Sequence, residues 1–303
     1  MEWADLTRLD THILALAAQG AQVTVIGMSG EGRPLYEVAI GAEHSAFTVV
    51  VVAGMHADEV TGPLAALALV QRLVHHPWTN IQVRCVPVAD PDLLTRNAAR
   101  LPPQPALRDL VNLRHVRDLE WQFTADTYPE STAIRHWMER LPRIDAYVSF
   151  HTAHLTAPGL FFYINSSADP ACVSCVAARV AAGLPPEAPL VAHDPTNIAQ
   201  AIYAPGFFAL PASVGRAQDA ESSFAFVDRH FHPRFVGVTE TPLAVCAALA
   251  QASLDEIAQY NRAFRDTGHA PAPYVKLDLT TQIDLMHRFI RSSVQCLLAH
   301  TPS

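Results

Sequence analysis

The run Phe47-Thr-Val-Val-Val-Val-Ala-Gly54 constrains this chain more than any other segment. It is β-branched and apolar without polar alternation, so the strand it predicts must be covered on both faces. Such a strand belongs in the middle of a sheet with helices above and below it, which makes the chain α/β. The neighbouring pattern agrees. Gln22–Met28 and Pro34–Ile40 are short β-branched runs separated by Ser29-Gly30-Glu31-Gly32, as strands joined by a turn would be. Residues 81–88, 145–150, 160–164 and 234–239 read as further strands. Residues 4–19, 63–75, 132–140, 170–182, 243–265 and 281–300 have helical spacing. Residues 90–123 lack a clear period and are expected to form long loops over a sheet edge, and 184–220 yields no assignment. No linker, repeat or low-complexity stretch interrupts the pattern, so one domain spanning 1–303 is expected.

Composition removes several classes of function. Half of the 303 residues are apolar and 17% are charged, which argues against disorder. A net charge of −8 argues against a nucleic-acid partner. The longest apolar stretches, 47–54 and 63–70, fall short of the ~20 residues that a membrane span needs. The start, Met1-Glu-Trp-Ala-Asp, lacks the basic and apolar regions of a secretory signal. Five cysteines without framework spacing predict reduced thiols in a cytoplasmic protein. Cys172 and Cys175 form a C-x-x-C behind Asp169-Pro170, a cap followed by a first-turn proline. They are expected to be small helix residues, since no second pair completes a metal site.

In open α/β sheets chemistry collects beyond the carboxyl ends of the strands. Strand 47–53 is followed by His56-Ala-Asp-Glu59, strand 145–150 by His151-Thr-Ala-His154, and strand 234–239 by Glu240. Spacing alone is a weak signal, because chance supplies roughly half an H-x-x-E in a chain this rich in histidine. His136-Trp-Met-Glu139 is the internal control: it lies in a helical stretch, where residues three apart are ordinary surface neighbours. His56, Glu59 and His151 instead converge on one sheet edge. Two imidazoles and a carboxylate suit zinc with an open fourth position, the pattern of a catalytic site. Bound there, zinc lowers the pKa of a water to about 7. A separate carboxylate must then carry the proton, and Glu240 is placed to do so. An arginine is expected to stabilise the oxyanion.

These residues carry a resemblance. Ser29-Gly-Glu-Gly-Arg-Pro34, Gly54-Met-His-Ala-Asp-Glu59, Val88-Ala-Asp-Pro-Asp92, Ser149-Phe-His151 and Thr239-Glu240 resemble, in order and spacing, the motifs of the zinc carboxypeptidase family. The resemblance covers residues 22–242. It implies a mixed, mostly parallel eight-stranded sheet flanked by helices on both faces. It also implies zinc on His56, Glu59 and His151, with Glu240 as general base and acid. Thr95-Arg-Asn-Ala98 resembles a stretch of bacterial relatives, so Arg96 is the first candidate for oxyanion stabilisation and Arg100 the second. Arg114 or Arg117 could serve if the Pro-rich segment loops outward. His154, His230 and His232 are candidates for facing the substrate. The chain departs from the family at Asp118-Leu-Glu-Trp-Gln-Phe123, where Glu120 and Trp121 replace the Asn and Arg that hold a substrate's terminal carboxylate. Phe224 and Phe226 stand in the neighbourhood of a tyrosine that the family often carries. The implied activity is hydrolysis of a peptide, with deacylation of N-acyl amino acids as the alternative. A metal-free binding protein of the same fold is the reading from a different class. No nucleophile elbow or phosphate-binding loop points elsewhere.

Overall fold

The computed structural model describes residues 1–153, 156–214 and 220–300. A 3-10 turn, Trp3–Arg8, leads into α1 (Leu9–Ala17), β1 (Gln22–Met28), β2 (Pro34–Ile40), β3 (Phe47–Ala53), α2 (Thr61–His75) and β4 (Ile81–Val86). Next come α3 (Pro91–Ala98), α4 (Leu107–Val111), α5 (Pro129–Glu139), β5 (Ala146–His151), β6 (Thr156–Ala157), β7 (Phe161–Asn165) and α6 (Pro170–Ala181). The remainder is β8 (Ala201–Ala204), β9 (Phe207–Leu210), α7 (Ser223–Phe231), β10 (Phe235–Glu240), β11 (Ala244–Val245), α8 (Leu254–Thr267), β12 (Val275–Lys276) and α9 (Leu279–Ala299).

The main sheet has nine strands in the order β1-β2-β4-β3-β5-β10-β7-β9-β8, one more than expected. β4, β3, β5 and β10 run parallel at its centre, and antiparallel pairs lie on both sides. A second sheet, β12-β11-β6, sits apart. β3 is buried at every residue. Val49 and Val51 pack in a core with α1, α2, α6 and α9, while Val50 and Val52 pack in another with α5, α7 and Phe123. Strand alternation thus divides one apolar run between two cores. Among the described residues, no helix is long and apolar enough to cross a membrane.

Three expectations need correction. Residues 90–123 contain α3 and α4 rather than loops alone. Asp90 caps α3 by accepting from the Leu93 N–H at 3.0 Å, and Pro91 fills its first turn. The helix is two turns long, too short for its period to stand out. The helix expected over 243–265 begins only at Leu254, where Ser253 and Glu256 form a capping box. Residues 244–245 ahead of it pair with Thr156 and Ala157 as β11. The thiols are not all reduced: Cys175 and Cys296 form a disulfide that joins α6 to α9. Their separation of 121 residues resembles no framework spacing, and it is the packing of α6 along α9 that brings them together. Cys172 remains a buried free thiol on the helix capped by Asp169, as its sequence context implied.

Candidate active site

The parallel centre of the sheet delivers the site. Ala53 at the end of β3 registers with Phe150 of β5, and His151, one residue on, registers with Glu240 of β10. Between β3 and α2 the chain must turn sharply to present His56 and Glu59. Gly54 makes that turn at φ +75°, where a side chain would be strained and its Cβ would crowd Pro63. Gly62 lets α2 close against β5, since a Cβ there would lie 2.7 Å from the Phe150 carbonyl oxygen.

His56 Nδ1 lies 2.9 Å from one oxygen of Glu59, and His151 Nδ1 lies 3.0 Å from the other. The donor atoms of the three residues fall within 4.8 Å of one another. Glu59 is held from behind by the Thr152 N–H at 3.0 Å. The outer nitrogen of His56, Nε2, meets Asp118 at 3.1 Å. The outer nitrogen of His151 is buried without a hydrogen-bond partner. Both Nδ1 atoms therefore face a common point and the carboxylate faces it with them, a donor set that fits zinc with room for a further ligand. His115 and Asp118 form a second group with His56. His56 cannot serve both with a neutral imidazole, because its Nε2 must keep a proton when Nδ1 ligates. Asp118 is accordingly the outer partner that orients His56. Asp118→Ala is expected to weaken zinc binding roughly 10–100-fold, measured by competition with a chelator, with little loss of stability.

The charges reinforce one another. Burial opposes a charged His56, but the Glu59 and Asp118 carboxylates outweigh it and raise its pKa well above the usual imidazole value. His151 is raised likewise: burial opposes, and Glu59 prevails. Burial would raise Glu59, yet the two imidazoles hold it well below the carboxylate range. Glu240 goes the other way. Burial, with Glu59 and Glu120 adding to it against the pull of His151, pushes its carboxyl up to about 8.

A cleft of about 300 Å³ opens beside these residues, and His56, Glu59, His151 and Glu240 all line it. The other residues singled out in the sequence lie elsewhere or outside the described residues. Arg96 pairs with Glu31 in the β1–β2 turn and is not among the lining residues. Arg100 and Arg114 are exposed and do not line the cleft either. Arg117 is committed to Asp90 and Glu130. His232 ends α7 in an exposed, left-handed conformation, and His230 stacks on Phe226. Helix α7 is nine residues long and begins at the cleft with Ser222, so both histidines stand at its far end. His154 lies outside the described residues. His136 and Glu139 sit on α5, where Glu139 pairs with Arg135. Glu120 and Trp121, placed by the resemblance at the substrate-binding position, do line the cleft, whereas sequence reading missed His115 and Arg265 of α8. Arg265 lines the cleft and donates from Nε to the Val111 carbonyl at 3.1 Å.

Residues 12–92 match the model of the zinc carboxypeptidase family. That segment includes His56 and Glu59 and precedes His151 and Glu240. No curated protein sequence matches the chain. Among solved structures, a metallo-carboxypeptidase from Burkholderia cenocepacia is similar at 14% identity, with 95% of this chain and 68% of that one covered and a TM-score of 0.59. Bovine thrombin-activatable fibrinolysis inhibitor, in complex with tick carboxypeptidase inhibitor, is similar at 13% identity, covering 98% and 97%, with a TM-score of 0.57. A metallo-carboxypeptidase from Pseudomonas aeruginosa, in complex with (2-guanidinoethylmercapto)succinic acid, is similar at 16% identity, covering 96% and 67%, with a TM-score of 0.53. At these identities the likeness establishes a shared fold.

Proposed function

We propose that this chain, whose residues 12–92 match the zinc carboxypeptidase family model, belongs to that family and is a zinc-dependent hydrolase of amide bonds acting on peptides. One observation carries the reading. Glu240, a carboxylate that no residue ligating through His56, Glu59 and His151 requires, is registered directly beside His151 at the edge of the cleft. His56, Glu59 and His151 would hold the metal through two Nδ1 atoms and a carboxylate. Bound zinc supplies a Lewis acid and a water whose pKa falls to about 7. Glu240 accepts the proton of the attacking water at its carboxylate and returns it to the departing nitrogen. Asp118 fixes the His56 ring, and the Thr152 N–H fixes Glu59, so the ligands need little reordering. Among the described residues Arg265 is the arginine that lines the cleft, and we assign it the contact with the substrate's oxygen atoms.

Deacylation of N-acyl amino acids is the second reading, and Glu120, in the cleft wall where a carboxylate-gripping side chain would otherwise be expected, sets either substrate apart from an ordinary peptide carboxyl end. The deciding experiment is elemental analysis of untagged protein, with and without added zinc, followed by a screen of peptides against N-acyl amino acids. About one zinc per chain, lost in His56→Ala, is expected; no uptake would reject the hydrolase. Zinc uptake should also release protons, because the carboxylates favour the protonated form of both imidazoles in the metal-free protein and a metal requires the neutral one. Affinity is therefore expected to fall as pH is lowered, with calorimetric heats that change with the ionisation enthalpy of the buffer. An affinity independent of pH from about 6 to about 8, a range that spans the usual imidazole pKa of about 6.5, would contradict the imidazole ligands.

A further inference from the structure

Glu120 has a role that the zinc centre does not need. It belongs to the segment between α4 and α5, is only 7% exposed, and lines the cleft. Its surroundings hold it as an acceptor. Ser223 Oγ donates to its Oε2 at 2.6 Å, and the Phe224 N–H approaches its Oε1 at 3.3 Å. Because the Ser223 proton points to Glu120, the Tyr147 hydroxyl, 2.7 Å away, must donate to Ser223. One hydroxyl and a backbone amide are thus directed at the carboxylate, and the Tyr147 hydroxyl supports the Ser223 donor from behind. The start of α7, capped by Ser222, adds its partial positive charge. These groups donate to the carboxylate and bring no cation to it.

Among the described residues the one cationic neighbour is His151, whose Nε2 stands 3.8 Å away, beyond hydrogen-bond distance. The carboxylate has about four lone-pair sites and the donors above occupy two. Among the described residues the cleft wall also holds the apolar Phe161, Phe224 and Val238, and its charged groups other than the two histidines and Arg265 are acidic: Asp58, Glu59 and Glu240. Arg265 is, among the described residues, the arginine of the wall, and it is exposed. A ligand carboxylate at the buried end would face Glu120 at like charge in a poorly screened site. An ammonium there would gain a charge-assisted hydrogen bond.

We propose that Glu120 determines specificity, selecting substrates that present a primary ammonium on an apolar stem to the buried end of the cleft. This rests on the hydrolase reading and gives its substrate class: an amide whose recognised portion ends in a cation rather than in a free carboxylate.

The test is equilibrium binding to the zinc-loaded protein of two probes alike in their aryl stem and opposite in charge, 2-phenylethylammonium and 3-phenylpropanoate. Zinc itself attracts the acid, so a preference for the amine is a demanding result. The expectation is that the wild-type protein binds the amine about tenfold or more tighter, and that Glu120→Gln removes most of that difference by weakening the amine. An acid bound as tightly as the amine by the wild-type protein overturns the proposal, and this arm needs no variant to fold. A preference unchanged in a folded Glu120→Gln protein overturns it as well. Zinc stoichiometry on the same samples separates the two readings. A chain that takes up no zinc fails as a hydrolase, whereas one that takes up zinc and prefers the acid fails only in the assignment to Glu120.

Discussion

Glu240→Gln is expected to lower kcat by about two to four orders of magnitude while zinc content stays at the wild-type level. The amide is nearly isosteric with the carboxylate, and the pairing of β10 with β5 and β7 uses backbone groups, so the strand keeps its register. None of the three metal-binding side chains changes. What disappears is the group that can receive a proton from water and pass it on. The pH profile supplies a second measurement. In the metal-free protein burial raises Glu240 to about 8, and a bound cation would lower it again. A base works only when deprotonated, so kcat/KM should rise with pH through the Glu240 pKa, on an acid limb lying below 8 in the zinc-loaded enzyme. That limb should be missing from the residual activity of the Gln variant. Turnover within tenfold of wild type, with zinc retained, would remove Glu240 from the role of base.

The same geometry explains what the sequence made legible. His56 and Glu59 follow a strand whose burial is written in a long apolar run, His151 and Glu240 end two largely apolar strands, and parallel neighbours end at the same edge. Local pattern therefore sufficed to bring them together. Asp118, Glu120 and His115 lie in a segment whose path is set by distant partners. The Asn97 side chain donates to the Ala57 and Arg114 carbonyls and accepts from the Arg114 N–H, and no local period encodes such contacts. Arg265 reaches the cleft from a helix that begins after Glu240 and the small sheet, so neither strand ends nor motif spacing pointed to it. His230 and His232 were visible as histidines, but an extended reading of 228–233 put them on one face. Ser222 in fact caps a helix there and carries both away from the site. The disulfide escaped notice for a related reason, since it records the packing of two helices far apart in the chain.

Arg117→Met is expected to cost about 3–5 kcal/mol of stability, the largest structural effect of any single substitution considered. Arg117 is the central cation of a buried acidic cluster, whose Asp92 also pairs with the more exposed Arg33 at 3.5 Å. It pairs with Asp90, 1% exposed, and with Glu130, which has no exposure at all, and its guanidinium lies 4.0 Å from Asp92. Asp90 already caps α3, and Asp92 accepts from Ser29 Oγ at 2.6 Å and the Glu31 N–H at 3.0 Å. Glu130 accepts from the Gly30 N–H at 3.1 Å. One side chain thereby fastens the β1–β2 turn, the start of α3, the start of α5 and the chain just ahead of Asp118. Methionine preserves much of the stem but leaves two carboxylates in low dielectric without a cation. The loss should appear as a lower urea midpoint with the slope unchanged. Adding Glu130→Gln to the variant should recover part of it, since one uncompensated charge is then removed. A loss below about 1 kcal/mol would mean that Arg117 behaves as an ordinary surface pair. The consequence for catalysis follows from adjacency. Asp118, which orients His56, is the next residue, and Glu120 lies two beyond it, so the residues that shape the zinc centre and the cleft hang from a structural arginine. The buried pairing explains why Arg117 is unavailable to a substrate's oxygen atoms, and why a chain that reads as loop between α4 and α5 still holds its carboxylates in place.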